Sequence, residues 1–173
     1  MIVEYTYEGD FPLFEIRYQK YKLSGIDNNL LAQEVLAKQV RKSTDATTPL
    51  YEDTLFQPGQ GSQGHALLDA VEDIANKNGL HIEDWWSQIH HPLESTNTHH
   101  HGKYIGAFVY YVKVPEGAGD IVFDLEDVLV HNIKPVEGTL LLFPAWCKHR
   151  VTKNLSKEIR ISIAGNLGHI AKD

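Results

Sequence analysis

The sequence has a single cysteine, Cys147, so no internal disulfide can brace the fold, and a reducing, cytoplasmic setting is expected. It has no long apolar run: 139-TLLLFPAW-146 falls far short of the roughly 20 residues that a membrane span needs. The opening residues, MIVEYTYEGDFPLF, offer neither a basic start nor a long apolar core, so no secretory leader is expected. Positive charge is in deficit. With 16 Lys and Arg against 23 Asp and Glu the net charge is −7, which would repel a phosphate backbone. Neither a nucleic-acid partner nor a membrane is therefore expected. Internal repeats, low-complexity tracts and charge runs are absent as well, so nothing marks a second domain. The expectation is one domain over 1–173. Within it, 1–79 would supply a strand, two supporting helices and a long loop, and 80–173 a β-rich core carrying the site.

Histidine is what the chain has in excess. Of its 10 histidines, five fall within 90-HHPLESTNTHHH-101, an internal position that no expression tag explains. In an extended chain residues i and i+2 point the same way, so His99 and His101 can converge while His100 faces away. The best third partner is His149 in 143-FPAWCKHRV-151, where the small apolar Cys147 and Val151 at alternate positions mark an inward face. Imidazole binds Zn, Cu, Fe and Ni alike, which leaves the metal open. Only the neutral ring coordinates, and free histidine titrates near pH 6.5, so affinity should fall below about that pH.

Farther along, 160-RISIAGN-166 read as a strand puts Arg160 and Ser162 on one face and Ile161 and Ile163 on the other. If the first face is inward, a guanidinium fork and a hydroxyl form a clamp for a carboxylate, and the buried charge demands an anion. If the isoleucines are inward instead, Arg160 is solvated. The pattern alone allows both.

The remaining elements follow from periodicity. Residues 13–23 alternate as a strand, and Asp27 or Asn28 can cap a helix over 29–42. The stretch 43–64 is rich in Thr, Pro and Gly and reads as a long loop. A second helix is expected over 65–78, capped from Ser62 and stopped at Gly79. Short strands are then expected at 80–90, 103–114, 120–125, 128–134, 139–143, 147–153 and 158–165. Two helices followed by many strands imply helices packed on a sandwich or barrel. The loop 43–64 and the segment 87-SQIHHPLES-95 are expected to act as lids.

Taken together, H-x-H, then G-x-L-L-L-F-P-A-W-x-x-H, then R-I-S-I resembles the iron(II)- and 2-oxoglutarate-dependent oxygenases. More narrowly, it resembles the small "putative 2OG-Fe(II) oxygenase" family related to prolyl hydroxylases. It covers about residues 85 to 167 and includes Trp85 or Trp86, Asn97 and 110-YYV-112. It implies a mainly β fold with N-terminal helices, a double-stranded β-helix or jelly-roll barrel packed by two helices. It implies Fe(II) held by His99, His101 and His149, and 2-oxoglutarate as co-substrate on Arg160, supported by Ser162. Tyr111, in phase with His101 if the strand runs unbroken, would contact the same carboxylate. The implied activity is hydroxylation, with molecular oxygen, of a small-molecule or peptide substrate such as a peptidyl proline. Two departures stand out: His101 occupies a position that is usually aspartate, and Ala107–Phe108 stands where the narrower family tends to have Ser-Gly. Two other functions fit the same residues. One is a three-histidine cupin dioxygenase without 2-oxoglutarate, in which Arg160 has no role. The other is a non-catalytic jelly-roll binding or virion module stapled by a metal with a closed shell.

Overall fold

The computed structural model describes residues 3–10, 15–37, 50–52, 61–125 and 129–170. Among these residues, two helices, α1 (Asn28–Ala37) and α2 (Gln63–Lys77), accompany eleven strands. These are β1 (Val3–Asp10), β2 (Glu15–Lys22), β3 (Leu50–Glu52), β4 (Leu80–His90), β5 (Thr96–His99), β6 (Gly106–Lys113), β7 (Ile121–Leu125), β8 (Leu129–Ile133), β9 (Thr139–Pro144), β10 (His149–Val151) and β11 (Arg160–His169). They form a 7-stranded sheet in the order β1-β2-β9-β6-β11-β4-β3 and a 4-stranded sheet in the order β5-β10-β7-β8. Every pairing is antiparallel.

The helices begin where their caps place them. Asp27 Oδ1 accepts from the N–H groups of Asn29 and Leu30 at 3.0 and 3.1 Å, and Ser62 Oγ accepts from the His65 N–H at 3.1 Å. Gly79, at φ 71°, follows α2 in the left-handed conformation that glycine adopts without strain. Leu31 and Val35 of α1, and Leu67, Val71 and Ile74 of α2, bury their apolar stripe against the large sheet.

That sheet is covered on both faces, which explains its continuous apolar strands. Phe108, Tyr110, Leu140, Leu142, Ile161 and Ile163 join the helices in one core. Their neighbours Ala107, Val109, Tyr111, Leu141 and Phe143 meet Ile121, Phe123 and Ile133 of the small sheet in a second. A period of two thus divides each strand between two cores.

Several expectations change here. The expected mainly β architecture with two helices holds, but the described residues form two facing open sheets and no closed barrel: side chains, not backbone hydrogen bonds, join them. Of the expected 13–23 strand, Glu15–Lys22 is β2, and β1 and β5 are additional strands. Helix α1 is described to Ala37, and most of the 43–64 loop lies outside the described residues, save β3 and the residues from Gly61. Residues 87–90 are not a lid. They finish β4, buried, paired with β11 throughout and with β3 at Ser87 and Gln88.

Candidate metal and anion site

His99 ends β5 and His149 begins β10, and the two are register partners in that antiparallel pair. His101 lies two residues past the end of β5, where its backbone N–H donates to the Ala145 carbonyl at 2.8 Å. Its ring stacks near-parallel on that of His149, with Nε2 to Nε2 at 3.4 Å. One nitrogen of each ring can be chosen so that all three lie within 4.8 Å of one another. His100 is exposed and stands outside the group. The convergence expected from i, i+2 spacing is therefore present, though it arises from strand register and the turn after β5 rather than from an unbroken strand. That turn, at 102–105, also removes the expected phase relation between His101 and Tyr111.

Two rings are held in a defined tautomer. His99 Nδ1 donates to the Asn97 carbonyl at 2.8 Å and His149 Nδ1 to the Cys147 carbonyl at 2.9 Å. A carbonyl only accepts, so each Nδ1 keeps its proton, and in the neutral ring the lone pair is then on Nε2. This donor set suits a divalent metal that takes imidazole. Burial pushes the His149 pKa down to about 3 and that of His101 down to about 4, with the neighbouring His99 adding to both shifts. Both rings therefore remain neutral well below the free-histidine range.

Arg160 opens β11 and is 1% exposed. Its Nε and Nη1 have no hydrogen-bond partner, and among the described residues it forms no ion pair. Burial lowers its pKa, and the Tyr111 ring lies 5.5 Å from the guanidinium carbon. The buried Tyr111 hydroxyl and Ser162 Oγ are likewise without partners. Ser162 is the register partner of both Tyr111 and Gln88, so these three share the inner face beside Arg160. Of the two faces that the sequence left open for Arg160, the inner one is realised, while Ile161 and Ile163 pack toward the helices. Both faces are buried because two layers cover the sheet.

A cavity of about 480 Å³ connects the parts: His99, His101, His149 and Arg160 all line it, with Trp86 and Thr96. Ser162 and Tyr111 sit behind this wall rather than on it. Trp86, not Trp85, reaches the cavity and stacks on His101 at 5.8 Å between centroids. His90 has no counterpart among the sequence-derived site residues. It is fully buried opposite Arg160, with Nε2 2.9 Å from Thr96 Oγ1, and burial followed by the Arg160 charge pushes its pKa down to about 3. Only the β4–β11 register reveals that neighbourhood, and periodicity along one strand carries no such signal.

Residues 124–166 match the family model described as "Putative 2OG-Fe(II) oxygenase". His149, Arg160 and Ser162 fall inside that segment, whereas His99, His101 and Tyr111 precede it. No curated protein matches the sequence. Among solved structures, a prolyl-4-hydroxylase from Pseudomonas putida is 18% identical over 83% of this chain and 83% of its own, with a TM-score of 0.62. A viral collagen prolyl hydroxylase from Paramecium Bursaria Chlorella virus-1, solved as a 2OG complex, is 16% identical over 88% and 96%, with a TM-score of 0.65. The α-ketoglutarate-dependent epimerase SnoN from nogalamycin biosynthesis is 15% identical over 88% and 78%, with a TM-score of 0.67. At these identities the structural likeness is one of fold. The family resemblance read from the sequence motifs stands, on the matched segment and the shared fold together.

Proposed function

We propose that this relative of the 2OG-Fe(II) oxygenases is itself an iron(II)- and 2-oxoglutarate-dependent oxygenase, with residues 1–173 acting as one domain around a single site. The observation that carries the reading is the fully buried Arg160, two of whose guanidinium nitrogens lack partners on the cavity that also holds three clustered imidazoles. A buried, unpaired cation is costly, and an anionic ligand relieves that cost. In this reading His99, His101 and His149 hold the iron, and Arg160 takes the far carboxylate of 2-oxoglutarate in a charge-assisted hydrogen bond. Ser162 and Tyr111 stand behind it with hydroxyls available for the same carboxylate or for a water beside it.

When bound, iron(II) would activate dioxygen, the oxidant, whose four-electron reduction would draw two electrons from 2-oxoglutarate, leaving succinate and carbon dioxide, and two from a substrate C–H bond. The protein contributes placement and dryness. Val109, Ile121, Phe143 and Val151 make the apolar part of the wall and exclude water from the anion and the imidazoles. The finer assignment is hydroxylation of a small-molecule or peptide substrate, a peptidyl proline among the candidates. The prolyl hydroxylases among the fold relatives support it by analogy of fold.

A three-histidine dioxygenase without a co-substrate would leave the Arg160 charge uncompensated, and a closed structural metal site would leave the adjoining cavity without use. Both fit the observations less well. Anaerobic addition of 2-oxoglutarate to the Fe(II)-loaded protein should produce a weak, saturable visible absorption band, and admission of oxygen should yield succinate. If neither the band nor calorimetric binding of 2-oxoglutarate is seen, the proposal is wrong.

A further inference from the structure

Three imidazoles bring no negative charge to a divalent cation, so among the protein's own groups its compensation falls to those behind them. His99 and His149 each rest their Nδ1–H on a backbone carbonyl, that of Asn97 and that of Cys147. His101 has no such carbonyl among the described hydrogen bonds. On its side of the cavity stand Asn166 and Asp84, register partners on β11 and β4, placed just before the irregularity that interrupts the β4–β11 ladder. Irregularities of this kind re-aim side chains near sites. Asn166 Nδ2 donates to Asp84 Oδ1 at 2.6 Å, and the Tyr104 hydroxyl donates to Asp84 Oδ2 at 2.7 Å. The amide is thereby oriented: its nitrogen faces Asp84, which turns Oδ1 the other way. Asn166 is 4% exposed, and that Oδ1 closes no hydrogen bond in the structure. Asp84 and Asn166 stand two residues along from Trp86 and Ala164 on the same inner face, and Trp86 stacks on the His101 ring, so the pair lies on the His101 side of that face. His101 Nε2 points at His149 Nε2, so the ring nitrogen left for Asn166 is Nδ1.

We propose that Tyr104, Asp84 and Asn166 form a positioning relay to His101, in which Asn166 Oδ1 accepts the His101 Nδ1–H and Asp84 supplies the anionic charge that the three-imidazole set lacks. The relay does for His101 what the two carbonyls do for its partners: it holds the proton on Nδ1 and leaves Nε2 to the metal. It goes further by adding a carboxylate two hydrogen bonds behind the ligand, which raises the ring's basicity. Asp84 and Asn166 touch neither substrate nor metal and are positioning residues. The inference rests on the reading of His99, His101 and His149 as a metal site.

Titration with Co(II), followed by its visible ligand-field absorption, tests the relay without turnover. The parent protein is compared with Asp84→Asn, Asn166→Leu and the exchange variant Asp84→Asn/Asn166→Asp, each checked for a folded state by thermal melting before metal is added. Asp84→Asn and Asn166→Leu should weaken Co(II) binding by roughly 10- to 100-fold. The exchange variant puts the carboxylate directly on His101. It should bind close to the parent level, with a ligand-field spectrum shifted from the parent's. A purely structural role would leave the exchange variant as weak as Asp84→Asn. Parent-like Co(II) affinity in folded Asp84→Asn, or no rescue in the folded exchange variant, overturns the relay while leaving the metal site standing. A folded parent that takes up no Co(II) overturns the metal site and the relay together.

Discussion

His99 and His149 are register partners across β5 and β10, and their ring centroids lie 4.3 Å apart. The backbone ladder itself therefore sets the spacing of two of the three imidazoles, and a slip by one residue would turn His99 away from the cavity and present His100.

Replacement of His99, His101 or His149 by alanine should each abolish stoichiometric Fe(II) uptake, whereas the exposed His100→Ala should bind metal like the parent. Metal content after anaerobic loading and gel filtration decides it. Equal damage from His100→Ala would mean that the β5 register is different.

On the proposed function, Arg160 would set binding of 2-oxoglutarate against stability of the empty protein. Arg160→Ala should raise the half-saturating 2-oxoglutarate concentration by one to several orders of magnitude, since loss of a buried charged partner costs on the order of 2–5 kcal/mol. Iron should still bind, because no imidazole is altered. Ser162→Ala should act in the same direction at about the 1 kcal/mol of a single hydrogen bond. Arg160→Met fills much of the same volume without a buried charge. It should leave the ligand-free protein at least as stable as the parent, because the guanidinium sits there without a counter-ion. Co-substrate titrations and ligand-free melting curves separate the two effects. A large loss of stability in Arg160→Met would show that the guanidinium is structurally paired.

Buried histidines give the fold an acid limit. Burial holds His90 and His149 down to about 3 and His101 to about 4, against about 6.5 in the unfolded chain. Within that window the unfolded chain binds protons that the folded one refuses, so stability rises with pH and is lost as pH falls from about 6.5 toward the folded values. Each such histidine contributes up to about 1.4 kcal/mol per pH unit inside the window and no slope above it. Urea melts of the metal-free protein from about pH 8 to 4.5 should show this. His90→Gln should remove about one proton's worth of slope, and an unchanged slope would count against a neutral, buried His90.

Gly165 provides a purely structural check. A Cβ there would run into the Asp84 carbonyl and the Phe108 ring, because β11 packs closely on β4 and that ring lies over the glycine. Gly165→Ala should cost about 1–3 kcal/mol by overpacking. Denaturant melts measure it, and a neutral substitution would mean that Phe108 has room to swing aside.

Much of the site was legible along the chain because alternation in a strand is local. The inward parity of Cys147, His149 and Val151 and the pairing of Arg160 with Ser162 follow from a period of two, whereas the i, i+2 spacing of His99 and His101 named the right pair although the turn after β5 brings them together. The caps at Asp27 and Ser62 are local as well, since a side chain two or three residues away satisfies the first helical N–H groups. Periodicity does not say which face of a strand turns inward when both are apolar enough to bury, as in β11. It says nothing of which residue stands opposite another.

Tertiary structure decided those questions, through pairings between segments far apart in sequence. Helices over one face of the large sheet claim Ile161 and Ile163, which leaves Arg160 to the cavity between the sheets. The β4–β11 register brings His90 to Arg160 and Asp84 to Asn166. The turn at 102–105, pinned by the Ala145–Ile105 and His101–Ala145 backbone hydrogen bonds, sets His101 against His149 where an unbroken strand would not have done so. Residue types and local spacing supplied the chemistry by themselves. Its assembly into one cavity depended on cross-strand hydrogen bonds and the burial of two cores, both cooperative and non-local.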